Sequence, residues 1–145
     1  GGTVGHPGNV ARPYVITSPV YDAVDNTSLV GDDVVKLVDL PADTMVIGGC
    51  VEVLEASGNA QITLDVGTST DVDAFVDGGA SNAAADIQFN LKAAGGNLVT
   101  AADSVQVTIL DGGSSATTAL RFRVHAVCVD VSNNPVESAT VSTGT

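Results

Sequence analysis

The sequence predicts an all-β domain of sandwich or jelly-roll-like type, with Greek-key connections and an extended N-terminal arm. Three observations predict it. Hydrophobic residues make up 44% of the 145 and aromatics only 3%, with no Trp. The core must therefore come from Val, Leu, Ile and Ala, and the abundant β-branched Val suits a pleated surface better than a helix. Sixteen glycines, with many Asp, Asn, Ser and Thr residues, supply turn chemistry. Apolar residues recur at period two, and helical periodicity is sustained nowhere over the roughly 11 residues a helix assignment needs. "DLPADT" and "TAAD" suit a single helical turn at most. A chain of this length forms one domain that buries roughly 68–70% of its unfolded surface.

Residues 1–20 read as the arm and residues 21–145 as the single β-sandwich domain. Gly1, Gly2, Gly5, Gly8, Pro7, Pro13 and Pro19 interrupt any regular element near the start. "YVITSPVY" (14–21) is extended, and its prolines restrict it to an edge strand or an arm. Fully extended, such an arm reaches on the order of 60 Å. Tyr14, Ile16 and Tyr21 give it apolar surface to bury against a neighbouring subunit, with Arg12 beside them. A disordered tail is the alternative.

The body reads as strand after strand. "DVVKLVDL" (33–40) ends at Pro41. "TMVIGGCVEVLEA" (44–56) carries Gly48-Gly49 at its middle, where a bulge or bend would let the strand cross between sheet edges. "AQITLDVG" (60–67) alternates Ile62, Leu64 and Val66 with polar residues, and "ASGN" before it predicts a hairpin with the preceding strand. Short extended pieces follow around Ala74–Val76, Ile87–Leu91 and Leu98–Thr100. "SVQVTIL" (104–110) sets Val105, Val107 and Ile109 against Gln106 and Thr108. "ALRFRVHAVCVDV" (119–131) puts Leu120, Phe122, Val124, Ala126 and Cys128 on one face. Seven to nine strands at this spacing make a sandwich or jelly roll, and the strands after residue 100 must return beside earlier ones. The tail "SNNPVESATVSTGT" is polar, with "ATVS" as a possible edge strand.

Charge excludes several functions. Seventeen acidic residues against five basic ones give a formal charge of −12, the wrong balance for nucleic acid or an anionic membrane surface. No apolar run approaches the 18 or so residues of a membrane-spanning helix, and "GGTVGHPGNVARP" lacks the pattern of a signal peptide. Cys50 and Cys128 match neither a zinc ligand set nor a redox pair. Both lie in apolar runs, which favours buried thiols over one long-range disulfide.

"LDVGTSTDVDAFVDGG" (64–79) concentrates Asp65, Asp71, Asp73 and Asp77. Counted from Asp71 as an EF-hand, the sixth position is Val76 and the twelfth Asn82, where calcium needs Gly and Glu, so that match fails. A looser calcium site at Asp71–Asp77 stays open, but the acids lie among Gly, Ser and Thr and suit hydrogen bonds to turn amides. No metal and no cofactor are expected. Nor does a catalytic constellation emerge: His6 lies in the arm, while His125 shares a strand face with Arg121 and Arg123. Two readings of that cationic stripe remain. Its members pair across strands with acids such as Glu52 or Glu55, or they contact an acidic partner. Asn26-Thr27-Ser28 formally matches a glycosylation acceptor.

"KLVDLPADTMVIGGCVEVLEA", "ITLDVGTSTDVDAFVDGG" and "LRFRVHAVCVDV" together resemble small structural proteins of tailed bacteriophages, above all those of marine and cyanobacterial hosts. The resemblance covers about residues 33–130 and excludes the arm. It implies a capsid decoration (cement) protein: not an enzyme, placed on the exterior of the virion, partnered by the major capsid protein and by itself as a homotrimer. It transfers no catalytic residue. The expected contact residues, Arg12, Tyr14, Ile16, Tyr21, Arg121, Arg123 and His125, rest on the local reading. A receptor- or glycan-binding module of a phage fibre or spike is the alternative function.

Overall fold

A computed structural model describes residues 11–23, 32–91, 97–111 and 119–132. Most of the arm's Gly-rich head with His6, the Asn26-Thr27-Ser28 acceptor, most of the "DGGSSATT" loop and the tail lie outside the described residues. The period-two pattern becomes strands: β1 (Tyr14–Thr17), β2 (Tyr21–Asp22), β3 (Asp33–Leu40), β4 (Thr44–Glu55), β5 (Thr63–Gly67), β6 (Val76–Ala80), β7 (Asp86–Gln88), β8 (Leu98–Val99), β9 (Asp103–Leu110) and β10 (Arg121–Asp130). The described residues contain no helix.

The strands form two antiparallel sheets of a β-sandwich. The six-stranded sheet runs β1–β10–β4–β7, with β2 also on β10 and β8 also on β4; the four-stranded sheet runs β3–β9–β5–β6. Late strands thus return between early ones, β9 between β3 and β5 and β10 between β1 and β4, as their apolar faces require. Inward residues of both sheets meet in one core, in which Val46, Val51, Leu64, Val66, Val105, Val107, Phe122 and Val124 are fully buried. Phe75 is buried and stacks on Phe89 with ring centroids 5.1 Å apart.

Two connections differ from the sequence expectation. β4 and β5 are not a hairpin: β5 pairs with β6 and β9 in the opposite sheet. The 56–62 loop is instead a crossover. Ser57 is buried there, and Ser81 Oγ donates to Ser57 Oγ at 2.9 Å. Crossing sheets places Val51 and Val53 in one sheet and Leu64 and Val66 in the other, all four in the shared core, where a hairpin would have placed them in one sheet. Second, β4 does not leave its sheet at Gly48-Gly49. Its pairing with β10 slips by one residue beside Ile47, while its outer-edge partner changes from β8 at Thr44–Met45 to β7 at Cys50–Glu52. Gly49, at φ +144, is required there: a Cβ would strike the His125 carbonyl and the Phe89 ring.

Residues 14–21, expected as an edge strand or an arm, form an edge of the chain's own sheet. β1 and β2 both lie antiparallel to β10, separated by Ser18-Pro19. Pro19 cannot donate to a ladder. Buried Ser18 bridges the break: its N–H donates to the Val124 carbonyl and its Oγ accepts from the Val124 N–H, both at 2.9 Å.

Candidate interaction surface

Alternation along β10 sends Phe122, Val124, Ala126 and Cys128 into the core and Arg121, Arg123, His125, Val127 and Val129 outwards. Register then decides what the outward charges meet. Arg123 lies opposite Glu52, His125 opposite Cys50, and Arg121 opposite Glu55. Arg123 Nε donates to Glu52 Oε2, and His125 Nε2 lies 2.8 Å from the same oxygen. The Arg123 and His125 hydrogen bonds hold the Glu52 carboxyl down from its ordinary 4.5 to about 2. An ionised carboxylate only accepts, so Nε2 donates to it; in the neutral ring Nδ1 then accepts from Thr17 Oγ1 at 2.9 Å. Arg121 Nε donates to Glu55 Oε2 at 3.0 Å, where both side chains stand about half-exposed.

This ladder ties β1, β10 and β4 together on the outside of the sheet. Thr17 was not legible as a member, because only the β1–β10 register brings it to His125. Thr17, His125 and Glu52 place a hydroxyl, an imidazole and a carboxylate in sequence, but Arg123 shares the carboxylate oxygen and the group stands on an open sheet face. Its chemistry is that of cross-strand pairing.

The other expected contact residues divide by exposure. Ile16 is half-buried against the core, and the Tyr21 ring lies 5.4 Å from that of Phe122. Tyr14 is 36% exposed on β1, and Arg12 is exposed just before it. Cys50 and Cys128 are free thiols. Cys128 faces the core while Cys50 faces outwards beside His125, so the sheet itself separates them. Burial pushes both thiols up, with Asp86 and Glu52 adding to the effect at Cys50.

Backbone and side-chain bonds both shape the aspartate loop. The Asp71 carbonyl accepts from Thr68 N–H and Ala74 N–H, and Asp65 Oδ1 accepts from Gly78 N–H at 2.7 Å. Among the described residues no three His, Cys, Asp or Glu side chains converge as a metal site. Beside the loop, Thr68, Ser69, Thr70, Thr100 and Asp103 line a cleft of about 340 Å³ together with the apolar Leu98, Val99, Ala101 and Ala102. Desolvation opposes ionisation of Asp103, but hydrogen bonds from Ser104 N–H and from Ser69 outweigh it and hold this carboxyl below its ordinary range.

No family model matches the sequence, and no curated protein matches it. The backbone is similar to that of solved structures. Against a chain of the cyanophage Pam1 capsid asymmetric unit the TM-score is 0.60 at 16% identity, covering 87% of this chain and 91% of that one. Against a chain of the capsid of Ralstonia phage GP4 it is 0.57 at 16% identity, covering 88% of each. At these identities the likeness is one of fold, and over most of its length this chain shares the β-sandwich fold of chains in two phage capsid structures.

Proposed function

We propose that this chain is a structural, non-enzymatic decoration (cement) protein of a phage head, bound as a homotrimer to the exterior of the capsid and partnered by the major capsid protein. The observation that carries the reading is the fold likeness to chains of two phage capsid structures over 87 and 88% of this sequence. The interleaved strand order supports it further, and we read that order as a jelly roll, in which the chain alternates between two sheets. A formal charge of −12 suits the outside of a particle, away from packaged nucleic acid. Contacts repeated around a closed shell supply stability through avidity even when each is weak.

Expanded heads lacking the protein test the reading. Saturating addition of the purified chain is expected to raise their resistance to heat, and unchanged resistance overturns the proposal. A second reading, a receptor- or glycan-binding module, draws on the mixed polar and apolar cleft beside Asp103. Immunogold labelling of virions separates the two: label over heads supports decoration, and label confined to tail tips or fibres supports binding of a receptor.

A further inference from the structure

We propose that the apolar half of the outer face of the six-stranded sheet docks against a second copy of this chain. Cross-strand register assembles it. Val15 lies opposite Val127, and Val129, Met45 and Leu98 follow one another across β10, β4 and β8. The bulge residue Ile47 stands beside them. Val15 is 64% exposed, Leu98 48% and Ile47 40%. At Gly48, opposite Val127, a Cβ would meet nothing within 4 Å, which leaves a notch between these side chains. Their strands already bury the opposite face, so this surface is not required by the chain's own core.

Charge selects the occupant. A chain of formal charge −12 repels its copies wherever unpaired carboxylates face one another. None of Val15, Met45, Ile47, Leu98, Val127 and Val129 carries a charge, and on the other half of this sheet face Glu52 is matched by Arg123 and His125 and Glu55 by Arg121, with Asp86 exposed opposite Glu52 on β7 at its edge. At the far margin Asp130 accepts from Ser132 N–H and Oγ. Copies therefore meet here at little electrostatic cost and remove apolar surface from water. A basic partner would be drawn to the acidic remainder of the surface and away from an uncharged patch. The inference rests on the oligomeric part of the reading above and adds the face through which the copies touch.

Sedimentation velocity on the full chain tests it, over about 1–100 µM protein in about 0.15 M salt, conditions in which charges more than ~8 Å apart are screened. The wild type is expected to associate. Ile47→Asp and Leu98→Asp are expected to weaken association about tenfold or more, as charges set into the centre of an interface do. Val15→Glu, on an exposed edge strand, provides a third variant that spares the bulge, and circular dichroism verifies folding of each. Val34→Asp is the control: Val34 is 49% exposed on β3 of the other sheet, and its substitution is expected to leave association unchanged. Raising salt to about 0.5 M is expected to tighten association by screening the net charge, whereas loosening would reveal an ion-paired contact and overturn the proposal. A monomeric wild type overturns this inference and the homotrimer together, while binding to heads, measured separately, decides the decoration role. An assembled protein indifferent to all three face variants overturns the face alone.

Discussion

The central strands of the two sheets differ in what lies outside them. Along β10 burial alternates strictly: Phe122, Val124, Ala126 and Cys128 are fully buried, and their outward neighbours Arg123, His125 and Val127 are partly exposed. Along β9 both faces are buried, so that Ser104, Gln106 and Thr108 join Val105 and Val107 among the buried residues. The reason lies partly in the 68–74 loop, which packs over Gly67, the residue opposite Gln106. Alternation fixes which face a side chain takes. Exposure depends on what the chain lays over that face.

The largest expected effect marks the part the two strands share. Phe122→Ala empties the inner face of β10 and is expected to cost about 3–5 kcal/mol, read from denaturant unfolding. Val127→Ala on the outer face of the same strand is expected to change stability by less than about 0.5 kcal/mol. Similar costs at both positions would mean that the outer face of the isolated chain is already covered.

Next comes the loop. A Cβ at Gly67 strikes the backbone of Asp71, Val72 and Ala74, whereas one at Gly48 meets nothing within 4 Å. Gly67→Ala is expected to cost about 1–3 kcal/mol, as overpacking against backbone does, and to speed hydrogen exchange at the Thr68 amide. Gly48→Ala is expected to fall within about 0.5 kcal/mol of wild type. Equal effects would remove the loop as the cover of β9.

These comparisons also show how far the sequence could be read. The inward sets Leu120–Cys128, Val105–Ile109 and Ile62–Val66 were legible because each strand alternates strictly and β-branched residues dominate. The pairing of Arg121 and Arg123 with Glu55 and Glu52 was legible as one of two readings of that stripe, since opposite charges on neighbouring strands attract wherever register allows. What was not legible depended on contacts distant in sequence. "ASGN" carries hairpin residues, yet it makes a crossover, because local turn chemistry cannot say which sheet receives β5. The burial of Gln106 and Thr108 was not legible, because nothing near them in sequence announces the covering loop. Thr17 joined the ladder only through its pairing with a strand more than a hundred residues away.

Thr108 sharpens the contrast at smaller cost. Its Oγ1 is buried and lacks a hydrogen-bond partner, a desolvation penalty that the outer face of β10 avoids. Thr108→Val keeps the β-branched shape and is expected to stabilise the fold by about 1 kcal/mol. Thr17→Val removes a hydroxyl that His125 uses and is expected to destabilise by a few tenths of a kcal/mol to about 1 kcal/mol. Thermal unfolding of the two variants should therefore shift in opposite directions, and a shift of the same sign would show that the Thr108 hydroxyl is satisfied in solution.

The smallest effect concerns charge on the open face. The folded Glu52 pKa, about 2, lies below the ordinary 4.5 of the unfolded chain. Its contribution to stability is therefore complete above about 4.5 and is lost as pH falls through about 2. Glu52→Gln keeps the shape and an acceptor oxygen but abolishes the charge. The stability gap between wild type and this variant, measured by urea unfolding, should hold steady from neutral pH to about 5, narrow below 4.5 and close near 2. Added salt should narrow it at neutral pH as well, because these side chains are partly exposed and screened. A gap that persists in acid would mean that the Arg123–Glu52–His125 ladder holds β10 and β4 by shape and neutral hydrogen bonding, and that the outer face of the six-stranded sheet is less electrostatic in character than its composition suggests.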